Sequence, residues 1–191
     1  EVRVARFDGI QPIKIISLNI EFNKHHQTIF PFFFNENPDV ILLQEVLEED
    51  LSLLKKNLGM DFVFTPLAKL NISGHIKLLG IATFSKFKII KSSVLYYRGG
   101  NNILPTMNTP LIDRSEPEKM SRAILVTVIK KDGEQFYLIN TYFTWSDMGI
   151  PTQTQEDDLD KMIKLLSRFK EFTLCGDFNA PRGMKVFDKL A

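Results

Sequence analysis

The stretch Leu174-Cys175-Gly176-Asp177-Phe178-Asn179 is the most informative part of the chain. It is a short apolar run that stops at a glycine, followed by an acid and an amide two residues apart. Side chains two residues apart in an extended chain point to the same side. The carboxylate of Asp177 and the amide of Asn179 are therefore expected to face one small volume just beyond the end of a strand.

Two other polar residues stand at the ends of apolar runs. Asn19 closes the run 13–18, which is rich in β-branched residues, and Glu45 follows the run 40–43 and Gln44. Such short apolar runs are typical of buried strands. Three strand ends that each finish in a carboxylate or an amide suggest a metal-assisted phosphoester site, because Mg²⁺ prefers oxygen ligands and needs only one or two protein carboxylates.

Each of these residues also has a plainer interpretation. Glu45 can simply mark the point where a strand reaches solvent, and Asn19 can be a turn former. Asp177 follows a glycine, as aspartates in turns often do, and Asn179 precedes Ala180-Pro181, where it can cap a helix. The functional interpretation rests on the occurrence of all four together.

The composition limits the classes of protein to consider. The chain has 191 residues, 44% of them hydrophobic, which predicts one domain over 1–191 with a sizeable core. Its 24 Lys and Arg against 23 Asp and Glu give a net charge of +1, unlike the strongly basic balance of a dedicated nucleic-acid binder. The only cysteine, Cys175, excludes an internal disulfide and a cysteine zinc cluster. No apolar stretch approaches the roughly 18 residues of a transmembrane span, so we expect a soluble protein, with a cytoplasmic location and a monomeric state favoured.

The order of the segments favours a mixed architecture. Strand-like and helix-like patterns alternate in places, and Asp132-Gly133 between two apolar runs is a strong hairpin signal. We also expect the runs 78–85 and 87–97 to pair as neighbouring strands, and 99–118 to be a long loop that governs substrate choice. Pro31 argues against an uninterrupted helix over 25–35. The whole pattern predicts an α/β sandwich with mixed sheets.

Six segments of the chain occur in the order found in a known family, and together they cover nearly its whole length. They are Ser17-Leu18-Asn19, Leu43-Gln44-Glu45, Gly80-Ile81-Ala82-Thr83-Phe84-Ser85-Lys86, Ser121-Arg122-Ala123, Asn140-Thr141-Tyr142 and Gly176-Asp177-Phe178-Asn179. In this order they resemble the endonuclease/exonuclease/phosphatase superfamily, which has a deoxyribonuclease I-like fold. The resemblance implies two packed mixed β-sheets flanked by helices, and a metal-dependent phosphoesterase.

The resemblance also implies a role for each site residue. Glu45 would bind Mg²⁺ or Mn²⁺, with Asn19 beside it holding the metal or its water. Asp177 would orient and help deprotonate the attacking water, and Asn179 would donate a hydrogen bond to a phosphate oxygen. Arg122 would contact the substrate phosphate, its alternative being a surface arginine.

Two features depart from the family pattern. Tyr142 stands where many members carry histidine; it is expected either to donate a hydrogen bond to phosphate, as in some nucleases, or to be a partly buried core tyrosine. The family normally closes with a late Ser-Asp-His segment whose histidine acts at the scissile phosphate, and no histidine follows His75 here. We therefore expect either a sequence that lacks the last strands or, alternatively, a natural short form, and in both cases a chain that is weakly active or inactive in isolation.

The sequence thus predicts hydrolysis of a phosphodiester or phosphomonoester by metal-assisted attack of water. The substrate would be a nucleic-acid backbone or a small or lipid-linked phosphate. The alternative is a degenerate family member that binds a partner or nucleic acid without cleaving it. Tyr142 and the absent terminal segment favour this alternative, whereas the four intact polar residues at the strand ends oppose it.

Overall fold

Apolar strands dominate the described part of the chain, which comprises residues 11–108 and 119–190 of the computed structural model. The elements in chain order are β1 (Ile15–Asn19), α1 (His26–Glu36), β2 (Val40–Leu47), α2 (Leu51–Leu58), β3 (Asp61–Ile72), β4 (His75–Ser85), β5 (Lys88–Arg98), β6 (Thr106–Asn108), β7 (Arg122–Lys131), β8 (Glu134–Tyr142), α3 (Gln153–Leu166), β9 (Thr173–Asp177) and α4 (Lys185–Leu190). Short 3₁₀ turns occupy Glu48–Asp50 and Asp147–Gly149. None of the described helices has the length and apolar character needed to span a bilayer.

The strands form two mixed sheets. The first has the order β1-β2-β4-β3-β6, and the second has the order β5-β7-β8-β9. The pairs β1/β2, β3/β6 and β8/β9 are parallel, and the remaining pairs are antiparallel. The expected α/β sandwich of two mixed sheets flanked by helices is therefore confirmed.

Strand β2 shows why the sheets are buried on both faces. Val40 and Leu42 pack with Ile129 and Leu138 of the other sheet, whereas Ile41 and Leu43 belong to the cluster under α1 and α2. A strand covered on both faces reads as a continuous apolar run, as β2 does. Helices α3 and α4 cover the outer face of the second sheet through a cluster that includes Leu159 and Val186.

The expected pairing of the runs 78–85 and 87–97 is wrong. β4 lies between β2 and β3 in the first sheet, and β5 pairs with β7 in the second. The chain therefore changes layers at Lys86-Phe87 instead of making a hairpin. This link lacks the Gly, Asn or Asp residues that a two-residue hairpin turn requires.

Two other local expectations need correction. Helix α1 continues through Pro31, with Ile29 and Phe33 buried on either side of it, so packing of the apolar face outweighs the lost backbone hydrogen bond. Within the expected loop 99–118, the segment Thr106–Asn108 pairs with β3 as strand β6. Residues 109–118 of that loop lie outside the described residues.

The Asp132-Gly133 hairpin is confirmed. Both residues have positive φ, 51° and 89°, as a two-residue type I′ turn requires, and Lys131 pairs with Glu134 across it. The opposite ends of the two hairpin strands carry Arg122 and Tyr142. The hairpin thus brings these two side chains to the edge of the sheet where β9 ends.

Candidate active site

Strand ends from both sheets meet at one rim of the sandwich. β1 ends at Asn19, β8 at Tyr142 and β9 at Asp177. Parallel pairing aligns Asn19 with Gln44 and Tyr142 with Asp177. The carboxyl ends of these strands therefore lie at the same edge. We call the group Asn19, Glu45, Tyr142 and Asp177 the rim cluster.

The amide of Asn19 joins the two carboxylates of the rim cluster. Its Nδ2 donates to Glu45 Oε1 and to Asp177 Oδ2, both at 2.9 Å, while its Oδ1 accepts the backbone N–H of Glu21 at 3.0 Å. A carboxylate can only accept, so this amide orientation is the one that satisfies all three contacts. One side chain from β1 thus fixes an acid from each sheet.

A bulge in β2 sets the position of Glu45. The strand does not end at Glu45, because it continues to Leu47 with a register shift between Leu43 and Val46. Glu45 has φ of 56° and is half-buried between the buried Gln44 and Val46. A bulge re-aims a side chain, and a non-glycine residue with positive φ persists only where its surroundings hold it. The strained backbone therefore marks Glu45 as a specifically placed carboxylate.

A buried amide pair ties the two sheets together directly behind Glu45. Gln44 Nε2 donates to Asn140 Oδ1 at 2.7 Å. Asn140 Nδ2 donates to the carbonyl oxygens of Leu43 and Ala82, both at 3.0 Å. Buried polar groups with satisfied hydrogen bonds rigidify their surroundings. The pair fixes the strand that carries Glu45. Both residues belong to the sequence motifs quoted above, but the sequence predicted no role for either.

Tyr142 contacts Glu45 and is supported by Arg122. The Tyr142 hydroxyl donates to Glu45 Oε1 at 2.7 Å. The Arg122 guanidinium lies 4.6 Å from the centre of the Tyr142 ring, and its Nη1 donates to the Tyr142 carbonyl oxygen at 3.0 Å. Arg122 is only 1% exposed, so it is not a surface arginine. It lies behind Tyr142 rather than on the open face of the rim.

The surroundings of Tyr142 keep its hydroxyl protonated. Burial raises the pKa of Tyr142 well above its ordinary value, and the negative charge of Glu45 raises this pKa further. The positive charge of Arg122 acts in the opposite direction and offsets part of the rise. Tyr142 is therefore a hydrogen-bond donor to Glu45 throughout the neutral pH range.

A tight turn connects Asp177 to Asn179. A Cβ on Gly176 would lie 2.2 Å from the carbonyl oxygen of Thr141, so only glycine fits before Asp177. Asp177 Oδ1 accepts the backbone N–H of Asn179 at 3.1 Å, and Asn179 has φ of 47°. The two residues are thus adjacent through a turn rather than through the extended chain that the sequence suggested. Asn179 Nδ2 donates to the carbonyl oxygen of Phe143 at 3.1 Å.

An open cleft of about 580 Å³ lies beside Asp177 and Asn179. Its lining residues are Trp145, Ser146, Met148, Gly149, Gly176, Asp177, Phe178, Asn179, Ala180 and Pro181. The segment 145–150 between β8 and α3 received no role from the sequence. The signal that could have found it is the only tryptophan of the chain, placed just after a strand end and followed by Ser-Asp-Met-Gly.

The rim cluster suits a hard cation better than a soft one. The described residues contain no group of three or more His, Cys, Asp and Glu side chains that could hold a metal ion. Both described hydrogen bonds to the Glu45 carboxylate reach Oε1, which leaves Oε2 without one among the described residues. A single available carboxylate beside a second acid fits Mg²⁺, which is held by few protein oxygens. Asn19 turns its amide nitrogen, not its oxygen, toward the acids, a geometry that orients them.

A comparison with known families finds one family model that matches most of the chain. The family model of the Endonuclease/Exonuclease/phosphatase family matches residues 16–188. This span includes every residue of the rim cluster. No curated protein sequence is similar enough to serve as a relative.

Several solved structures share the fold. The human Nocturnin catalytic domain, solved with a bound sulfate anion, is 21% identical with a TM-score of 0.65, over 94% of this chain and 68% of that one. A mannosyl-6-phosphatase from Bacteroides thetaiotaomicron is 16% identical with a TM-score of 0.63, over 93% of this chain and 69% of that one. Sphingomyelinase C from Streptomyces griseocarneus is 14% identical with a TM-score of 0.63, over 94% and 69% respectively. At these identities the likeness is one of fold.

Proposed function

Because the chain belongs to the endonuclease/exonuclease/phosphatase family, we propose that it hydrolyses a phosphoester bond with Mg²⁺ or Mn²⁺ held at the rim cluster. The observation that carries this proposal is the contact of one amide, Asn19 Nδ2, with both Glu45 and Asp177 at 2.9 Å. Two carboxylates placed close together repel each other. Their proximity here is therefore best explained by a bound cation or by a proton transfer in which they take part.

Glu45 is the residue proposed to hold the cation. Its Oε1 is anchored by Asn19 and Tyr142, and its Oε2 takes no hydrogen bond among the described residues. When bound, the cation would neutralise phosphate charge and steady the leaving oxygen. Asn19 keeps the Glu45 and Asp177 carboxylates at a fixed separation, so the site needs little rearrangement on binding.

Asp177 and Asn179 are proposed to act on the water and the phosphate. Asp177 would accept the proton of the attacking water, because both its oxygens are already fixed in direction by Asn19 and by the Asn179 backbone. Asn179 donates one amide hydrogen to Phe143, which leaves the second for a phosphate oxygen. A donor aimed at developing charge stabilises the transition state.

Tyr142 and Arg122 are proposed to position Glu45. The Tyr142 hydroxyl is already engaged with the Glu45 carboxylate, and Arg122 supports the ring from its buried side. This arrangement supports an indirect role for Arg122 in place of the direct phosphate contact that the family resemblance implies. Partners of a metal-binding carboxylate commonly change metal affinity or activity by about 10–100-fold.

Metal binding and turnover test the proposal separately. We would titrate Mg²⁺ and Mn²⁺ while following the melting temperature, and assay release of p-nitrophenol from bis-p-nitrophenyl phosphate and p-nitrophenyl phosphate. Glu45→Gln should abolish metal-dependent stabilisation and turnover, since a ligand that binds the folded state raises its stability. Glu48→Gln, an exposed acid three residues away, is the matched control.

Two results would count against the proposal. If neither metal stabilises the wild type, the rim cluster does not hold a divalent cation. If metal binds but neither this chain nor a version extended at its C-terminus by a Ser-Asp-His segment turns over a phosphoester, the alternative of a binding module is favoured. Metal-independent binding of a phosphorylated ligand that Glu45→Gln leaves intact would also support the binding module.

A further inference from the structure

The cleft beside Asp177 has features of a ligand site that the proposed chemistry does not use. Its volume of about 580 Å³ is within the range of small-molecule sites. Four lining residues, Trp145, Ser146, Met148 and Gly149, belong to the segment 145–150, which we call the cleft loop, and the others come from residues 176–181. Asp177 and Asn179 also line the cleft, so a group bound here would be attached to the phosphate on which these two residues are proposed to act.

The cleft loop is held in a conformation that exposes an apolar side chain. Met148 is 80% exposed and has φ of 51°, which is unfavourable for a residue other than glycine. The next residue, Gly149, also has positive φ, and a Cβ there would lie 2.4 Å from Pro181 Cγ. The loop is therefore pressed against Pro181. An exposed apolar side chain on a strained, tightly packed turn indicates a function rather than a packing role.

Ser146 supplies a hydroxyl group to the lining of the cleft. The residue is 4% exposed and lines the cleft, and its Oγ has no hydrogen-bond partner among the described residues. A buried hydroxyl without a hydrogen-bond partner destabilises the fold. Such a hydroxyl in the lining of a cleft therefore suggests that a ligand supplies the partner. Trp145 stands next to Ser146 in the cleft loop.

We infer that this cleft binds a flat aromatic group attached to the substrate phosphate, with Met148 and Trp145 against the ring and Ser146 bonded to a polar atom on it. The inference rests on the proposed phosphoester function and names the substrate class. A thioether and an indole make favourable contacts with aromatic rings, and Pro181 adds a flat apolar surface. A hydroxyl among apolar groups gives orientation, as is typical of small-molecule sites.

The only tryptophan of the chain makes binding measurable without turnover. Trp145 lines the cleft, so a ring that enters the cleft should change its fluorescence. The probes are adenosine 5′-monophosphate, which has a ring with polar atoms, phenyl phosphate, which has a ring without them, and ribose 5-phosphate, which has no ring. The first two should change Trp145 emission and bind more tightly than ribose 5-phosphate, by about tenfold or more.

Two variants separate the apolar wall from the hydroxyl. Met148→Ala should weaken binding of both ring-containing probes by about three- to tenfold. Ser146→Ala should weaken adenosine 5′-monophosphate by a similar factor, leave phenyl phosphate unchanged, and keep or raise the melting temperature, because it removes an unpaired buried hydroxyl. Ile76→Ala, a half-exposed apolar residue of β4 outside the cleft lining, should change none of these values.

Failure of this inference can be told apart from failure of the proposed function. Equal affinity for all three probes, unaffected by Met148→Ala, would overturn the aromatic subsite even if the protein hydrolyses phosphoesters. Equal weakening of phenyl phosphate and adenosine 5′-monophosphate by Ser146→Ala would overturn the role given to that hydroxyl. Ring-dependent binding with no turnover of any phosphoester would uphold the subsite and count against the proposed hydrolysis.

Discussion

The rim cluster and a second polar group under α3 contain similar residue types but differ in burial and in their expected roles. The second group, which we call the helix cluster, consists of Arg98, Thr144, Gln155 and Asp158. Asp158 is 1% exposed and contacts Arg98 Nη2 and Thr144 Oγ1, both at 2.5 Å. Gln155 Nε2 donates to the carbonyl oxygens of Thr144 and Asn179 at 2.8 and 3.2 Å. Both groups are densely hydrogen-bonded.

The two clusters differ in burial and in what remains unsatisfied. The acid of the helix cluster is closed off from solvent and lies on a regular helix, whereas the acids of the rim cluster are half-buried and one has positive φ. Glu45 also retains an oxygen without a hydrogen bond among the described residues. Hydrogen-bonded acids alone therefore do not mark a site. A site is indicated by an acid that is accessible, has a strained backbone and retains an oxygen without a hydrogen bond.

The largest expected effect is a loss of turnover when an acid of the rim cluster is replaced. Asp177→Asn should lower turnover by about 10²–10⁴-fold, because an amide cannot accept the proton of the attacking water. Its melting temperature should stay close to wild type, since the residue is only half-buried. Steady-state kinetics and thermal melts on the same samples measure both. Asp188→Asn, an exposed acid of α4, is the control and should change neither.

The next largest effect is on stability. Asp158→Ala removes the buried carboxylate that pairs with Arg98 and accepts from Thr144, and should lower the free energy of unfolding by about 3–5 kcal/mol. Denaturant titration measures this value, with the exposed neighbour Asp157→Asn as control. Turnover per folded molecule should fall far less than in Asp177→Asn. A stable Asp158→Ala protein without activity would make the helix cluster part of the site and break the comparison.

A smaller effect tests the support of Glu45. Tyr142→Phe removes a donor to the proposed metal carboxylate and should raise the Mg²⁺ concentration for half-maximal stabilisation by about tenfold. Metal titration followed by thermal melting measures the shift. Tyr137→Phe, a partly exposed tyrosine of the same strand, should leave the titration unchanged. An unchanged midpoint in Tyr142→Phe would show that the hydroxyl does not position Glu45.

The smallest effect is a dependence of stability on alkaline pH. Burial raises the pKa of Tyr142 and of Tyr97 in the folded protein. The unfolded chain then loses these protons first, so their contribution to stability is full below about pH 10 and is lost as the pH rises beyond it. Tyr142→Phe and Tyr97→Phe should each make the alkaline fall in melting temperature shallower. A fall as steep as in wild type would contradict the assignment for that residue.

The sequence predicted the sandwich and the approach of Asn19, Glu45 and Asp177, because these features follow from local patterns and from the family motifs. Three local signals carry this prediction, because the residue types themselves restrict the backbone conformation. They are the apolar run of β2, the Asp132-Gly133 turn and the glycine before Asp177. The layer change at Lys86-Phe87 had only a negative signal, the lack of a hairpin-turn residue, since the partners of the two flanking strands are set by distant pairing: β4 lies between β2 and β3, whereas β5 pairs with β7.

The parts of the site that the sequence missed depend on tertiary contacts. The bulge at Glu45 requires positive φ, a conformation that a glutamate rarely adopts. Hydrogen bonds from Asn19, Phe22 and Tyr142 hold Glu45 in this conformation, and these residues are brought together only by the fold. Arg122 reads as a typical surface residue, yet packing under Tyr142 buries it. The cleft loop reads as an ordinary connection, because only the fold shows that the Ser146 hydroxyl is buried without a partner among the described residues.

The most direct test of the central claim is anomalous diffraction from crystals of the protein grown with Mn²⁺, compared with crystals of Glu45→Gln. The account predicts one manganese peak bound to the Glu45 carboxylate on the side of Asp177, and its loss in Glu45→Gln. A peak elsewhere in the molecule, or none at this rim in the wild type at saturating Mn²⁺, would contradict the assignment of a divalent cation to these two acids.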